Sequence, residues 1–208
     1  KLKKFSHASE NSKLPSYLTP SLLGVLSKLT EAYYDSSDGE CEPILQLWSA
    51  IFANEKVVGG LDKYDSYLEF VISALRESSN PSLVSGLINA LKGVFLRDKN
   101  QVRLIELKIV GALRPHLEPN TPDKIVCRCL EALRYFDEKH YKAMIKQGFF
   151  KSLTALIPVA SPTVLSSVLE SLKPMSMSTL LSTGSHTAEF KRDIRKSGIF
   201  DAMETALE

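Results

Sequence analysis

The chain has 208 residues, 44% hydrophobic and 24% charged, a make-up typical of soluble globular proteins that excludes a disordered or collagen-like chain. No apolar run approaches the ~18–20 residues of a membrane helix, and three cysteines cannot form a complete disulfide framework. A formal net charge of +2 argues against a dedicated polyanion binder.

Residues 1–13, KLKKFSHASENSK, are polar with a basic start and no sustained periodicity, and read as a flexible tail before one domain over 14–208. Lys1 stands where a methionine would open a whole protein, so the chain reads as a piece of a longer one. A helix is predicted over 18–34, with Leu22, Leu23, Val25, Leu26 and Leu29 as its apolar set. After the breaker run DSSDGE a second stripe starts at Pro43: Ile44, Leu47, Trp48 and Ile51. Residues 57–62, with Gly59-Gly60, read as loose. A helix follows over 67–76, and Asn80-Pro81 opens the stripe Val84, Leu87, Ile88, Leu91, Val94.

The spacing next predicts a helix over 100–110 that ends at Gly111, then a brief second helix around Pro115. The stretch 121–150 is the clearest unit. Thr121 is placed to cap a helix whose first residue is Pro122, with Val126, Cys129, Leu130, Leu133 and Phe136 as its buried stripe. After Gly148 a helix carries Leu153, Leu156 and Ile157, and Ser161-Pro162 begins the last stripe, Leu165, Val168, Leu169, Leu172. Pro174 is expected to end or kink that helix, leaving 175–186 as a long loop or irregular helix.

These stripes align on one template. Ile44, Val84, Val126 and Leu165 are equivalent at separations of 40, 42 and 39 residues, and Ala50, Ala90, Ala132 and Ser171 share a small-residue place. A period near 40 with two or three helices per unit marks an α-solenoid. Leu87, Leu91, Leu130, Leu133, Leu169 and Leu172 are the expected core between repeats. The segments KHYKAMIKQGFFKSLTALIPVASPTVLSSVLESLK and EFKRDIRKSGIFDAMETALE resemble armadillo repeats: short helix, glycine, second helix, then a turn into a long third helix. The resemblance implies an all-α, right-handed α-solenoid of about four armadillo-like repeats plus a partial one. In armadillo proteins that hold extended peptides, the third helices line a groove through a Trp and an Asn in each repeat. Here the Trp places hold Ser49, Asn89, Glu131 and Glu170, and the Asn places hold Ala53, Gly93, Tyr135 and Pro174.

Chemistry is not visible. The four histidines are scattered, the cysteines Cys41, Cys127 and Cys129 have no zinc spacing, and no nucleophile or phosphate-loop motif occurs. No catalytic residue, metal or cofactor is therefore expected. Reduced thiols suit the cytoplasm or nucleus. Charge is uneven: 14–91 holds four basic against ten acidic residues, and 92–151 holds thirteen against seven.

The third helices carry Lys92, Arg134 and Lys173 at one template position. With Asn89, Glu131 and Tyr135 beside them, these are the candidate partner-binding residues, suited to a protein or acidic peptide. The competing reading is that Glu131–Arg134 and Glu170–Lys173 are i, i+3 pairs neutralising each other on a solvated face. The expected function is a non-catalytic protein-interaction scaffold. Alternatives are an armadillo-type cochaperone of a DnaK-type chaperone, or a nucleic-acid-binding repeat such as a HEAT-like DNA glycosylase using the positive region 92–151.

Overall fold

The computed structural model describes residues 18–35, 41–60, 64–181 and 192–206, and among these there is no strand. The tail 1–13 lies outside them. The chain divides into two compact units, 1–103 and 104–208.

Unit 1 is built on paired helices. Helix α1 (Pro20–Glu31) starts at Thr19, whose hydroxyl accepts from the Leu22 amide at 3.2 Å. Helix α2 (Glu42–Ala53) buries Ile44, Leu47, Trp48 and Ile51, the expected stripe. Trp48 is fully enclosed, stacked between Phe52 and Phe70 at 5.9 and 5.7 Å, and its indole N–H donates to Thr30 Oγ1 at 2.9 Å. The segment expected to be loose forms a short helix, α3 (Glu55–Gly59). Asn54 caps it, accepting from the Lys56 amide at 3.0 Å, and Val57 and Val58 are buried beneath. The glycine pair ends a helix there rather than excluding one.

Helix α4 (Asp65–Glu77) leads to Asn80, which opens α5 (Pro81–Ala90) and α6 (Lys92–Phe95). The Asn80 carboxamide oxygen accepts from the Ser82 and Leu83 amides at 2.9 and 3.1 Å, and its NH2 donates to the Tyr33 carbonyl at 3.0 Å. One side chain thus caps a helix and ties it to an earlier repeat. Helices α2 and α5 pack closely enough that a Cβ on Gly86 would overlap the Leu45 side chain.

The helix expected over 100–110 is two. Helix α7 (Asp98–Glu106) stops, Lys108 turns the chain at φ 62°, and α8 (Ile109–Leu113) contains Gly111 instead of ending on it. The brief second helix around Pro115 does occur, as α8 followed by a 3-10 turn over Arg114–Leu117.

Unit 2 repeats that turn twice. Helices α10 (Tyr141–Lys146) and α11 (Phe149–Leu156) meet at Gly148, φ 87°; α13 (192–196) and α14 (Ile199–Thr205) meet at Gly198, φ 76°. The amides of Lys108, Gly148 and Gly198 donate to Ile105, Ile145 and Arg195 carbonyls at 3.0, 3.0 and 3.3 Å, so one turn recurs three times. Two of its copies use the residue that tolerates a left-handed backbone, and one does not. Gln147 locks the first two together: its Oε1 accepts from the Gly111 amide at 3.1 Å and its Nε2 donates to the Ile105 carbonyl at 3.0 Å.

The long third helices of unit 2 are α9 (Asp123–Leu133) and α12 (Pro162–Leu181), its most extensive pairing. Thr121 does not cap α9 as expected. Pro122 takes the cap position, its carbonyl accepting from the Ile125 and Val126 amides at 2.8 and 3.2 Å. Helix α12 continues through Pro174 to Leu181, because one missing donor removes a bond without requiring a new helix nucleus. Residues 182–186 of the expected loop lie outside the described residues.

Leu87, Leu91, Leu130 and Leu133 are buried as expected, but Leu169 is 56% exposed and Leu172 half-buried. The register is right, since Val164, Val168 and Ser171 are buried where Ile125, Cys129 and Ala132 are buried one repeat earlier. What differs is the covering: α9 is followed by α12, whereas among the described residues no third helix follows α12. Phe150, 2% exposed, and its equivalent Phe200, 55% exposed, differ for the same reason.

Four outcomes follow for stability, all readable by chemical denaturation. Leu133→Ala should destabilise by about 2–5 kcal/mol, as buried leucine truncations do, while Leu169→Ala should stay within about 0.5 kcal/mol. Lys108→Gly should stabilise by up to about 1 kcal/mol by relieving a left-handed lysine, and Gly148→Ala should destabilise, its Cβ meeting Arg114 Cδ at 3.2 Å besides the strained φ.

Candidate functional site

The third helices bring the candidate residues to two separate places. In unit 1 a shallow cleft of about 430 Å³ lies between α2 and α5, lined by Glu42, Gln46, Ser49, Ala50, Gly86 and Asn89 among others. Gln46 Nε2 donates to Glu42 Oε1 at 3.2 Å, which ties up that carboxylate. Asn89 is exposed, and its carboxamide makes no hydrogen bond among the described residues. Lys92, the first residue of α6, is exposed and does not line this cleft.

In unit 2 a larger cleft of about 590 Å³ separates α9 from α12. One wall carries Asp123, Lys124, Cys127, Arg128, Glu131 and Arg134; the other carries Thr163, Ser166, Ser167 and Glu170. These residues recur every three or four positions along α9, the face opposite its buried stripe.

The pairing within the cleft decides its character. Glu131 was expected to pair with Arg134; instead Arg128 Nη1 reaches its Oε2 at 2.8 Å. Both choices are three residues apart, so sequence spacing alone does not choose between them. Glu170 binds Lys173 as expected. A hydrogen bond from Lys173, joined by the charges of Lys173 and Arg134, holds the Glu170 carboxyl below the usual carboxylate range despite the opposing effect of desolvation. Asp123 accepts from the Ser161 hydroxyl, which also receives the Val164 amide at 3.3 Å at the start of α12.

Each carboxylate lining the cleft therefore has a partner, whereas Lys124 and Arg134 make no direct ion pair among the described residues. Tyr135 is half-buried just beyond α9 and, like Lys173, does not line the cleft. Lys124 and Arg128 were not singled out by the sequence template; the signal that could have found them is their helical spacing of seven and three residues from Glu131.

Tyr67 has a structural part. It is 3% exposed and its hydroxyl donates to the Thr19 carbonyl at 2.7 Å, holding the first helices together. Among the described residues no cluster of histidine, cysteine and carboxylate side chains could hold a metal ion. No described helix is long and apolar enough to cross a membrane.

Solved structures with a similar arrangement include designed armadillo repeat proteins. A designed armadillo repeat protein in complex with the peptide (KR)4 superposes with a TM-score of 0.64 at 17% identity, covering 98% of this chain and 82% of that one. The fold is an armadillo-like helical repeat. A computationally designed armadillo repeat protein for modular peptide recognition gives 0.63 at 18% identity, and a further engineered protein 0.63 at 14%, covering 98% of this chain and 82% and 81% of theirs. No family model and no curated protein sequence matches the chain. Within this armadillo-like solenoid, the α9–α12 cleft lies between consecutive third helices.

Access to the cleft can be read from its thiol. Cys127 is half-exposed with the Ser167 hydroxyl 3.2 Å from its sulfur, while Cys41 and Cys129 are 1% and 0% exposed and burial pushes both thiols up. A maleimide added to the native protein should modify Cys127 alone, giving one adduct by mass spectrometry, and all three thiols after denaturation.

Proposed function

We propose that the chain is a non-catalytic scaffold that binds another protein through an extended acidic segment laid against its third helices. A helical repeat offers a long surface of repeated geometry rather than an enclosed pocket, which suits recognition better than catalysis. The observation that carries the reading is the unequal pairing in the α9–α12 cleft. Glu131 and Glu170 are engaged by Arg128 and Lys173, and Asp123 accepts from the Ser161 hydroxyl. Lys124 and Arg134 make no direct ion pair among the described residues, although the Arg134 charge also acts on Glu170. The designed relative named above is complexed with a basic peptide. In this chain the Trp and Asn places of peptide-holding armadillo proteins are taken by other residues, and it is the cations Lys124 and Arg134, without a direct ion pair among the described residues, that favour a partner of the opposite sign to that peptide. Asn89 and Lys92 are the contact residues we assign in unit 1; Glu131, Arg134, Tyr135 and Lys173 are those of unit 2.

Affinity capture with mass spectrometry supplies the partner, and charge reversal then tests the surface. Arg134→Glu combined with Lys173→Glu should weaken binding of the captured partner and make what remains less salt-sensitive. The thermal midpoint should barely move, since exposed ion pairs are worth about 0–1 kcal/mol. Unchanged affinity in the double variant would place the interface on another face.

A further inference from the structure

Resting on the peptide-binding reading above, we propose that the α9–α12 cleft selects a segment with two carboxylate side chains four to five residues apart and neutral residues between them. Lys124 and Arg134 both line the cleft and lie ten positions apart, Lys124 in the first turn of α9 and Arg134 at its C-terminal cap, still with helical backbone angles. At 1.5 Å per residue their backbones are separated by about 15 Å along the helix axis. An extended peptide advances about 3.3 Å per residue, so about four to five residues cover that distance.

The stretch between the two cations disfavours a third negative charge. Glu131 stands there with its carboxylate held by Arg128 at 2.8 Å, and Glu170, bound by Lys173, lines the cleft from α12. A middle carboxylate would approach both, whereas a neutral residue meets the Ser166 hydroxyl. This arrangement, two cations without a direct ion pair among the described residues flanking the Arg128–Glu131 pair, with Asp123 beside Lys124, also separates the peptide from a nucleic acid. A phosphodiester backbone carries charge at every unit and would set phosphates against Glu131 and Glu170. Among the described residues no aromatic side chain lines the cleft to stack a base. The cleft volume, about 590 Å³, falls within the range of ligand sites that take a short segment.

The test uses terminally blocked fluorescent peptides of Ser and Gly with two Glu residues separated by one to eight positions, titrated against the whole chain by anisotropy. Peptides with Glu at i and i+4 or i+5 should bind about 5-fold tighter than those at i+1 or i+8, the factor one exposed charge pair contributes. Inserting a third Glu midway should remove that gain. Lys124→Ala or Arg134→Ala should abolish the spacing preference while keeping the thermal midpoint, and Arg134→Lys should restore part of it. Equal affinity across the series would overturn the spacing rule and leave the scaffold reading intact. Absence of binding by every acidic peptide, with the captured partner indifferent to the Arg134 reversal, would overturn both. Tighter binding of a single-stranded oligonucleotide than of any peptide would overturn the assignment of a peptide.

Discussion

An amphipathic helix whose leucines are covered by the elements packed against it cannot stand alone. Burying a leucine side chain contributes roughly 1.5–3 kcal/mol, so a third helix such as α9 is held mainly by the helices packed against it. The remaining features serve that stacking. Within unit 2, Ala132 and Ser171, at 3% and 1% exposed, put small residues on the paired helices α9 and α12, and the Ser171 hydroxyl donates to the Val168 carbonyl at 2.7 Å. Within unit 1, Gly86 is the small residue against Leu45. The recurring left-handed turn at Lys108, Gly148 and Gly198 reverses direction between the shorter helices in a fixed way.

That dependence explains what could be read in the sequence. The third helices were legible because their apolar positions follow the 3.6-residue period and because Asn80-Pro81 and Ser161-Pro162 mark where two of them begin. Lys108 was not legible: a lysine at positive φ carries no local signature, and Gly111, three residues later, offered a plausible but wrong helix end. Asn54 gave a cap signal that the following glycines concealed. Leu169 fits the pattern as well as Leu130 does, and no property of its own neighbours in sequence tells that the two differ in covering.

The candidate site was legible to a lesser degree, for an electrostatic reason. Helical spacing places Arg128, Glu131, Arg134, Glu170 and Lys173 on surfaces that can meet, but long flexible side chains choose partners by local geometry. The observed pairing gives the cleft a graded character. Its carboxylates act as fixed internal counter-ions that lower the overall attraction for anions while leaving two positions where attraction persists. A groove of uniformly positive potential would attract polyanions with little discrimination; alternation of sign converts part of that attraction into selectivity.

The placement of Trp48 has a practical consequence. It is the chain's single tryptophan, fully enclosed in unit 1, with its N–H held by Thr30 and its ring stacked on Phe52 and Phe70. Indole emission is therefore an intrinsic reporter of unit 1, while the helical signal in circular dichroism comes from both units. If the two melt as one cooperative block, fluorescence and ellipticity trace the same curve; if they melt separately, the curves part, and the protein measures its own cooperativity without any label.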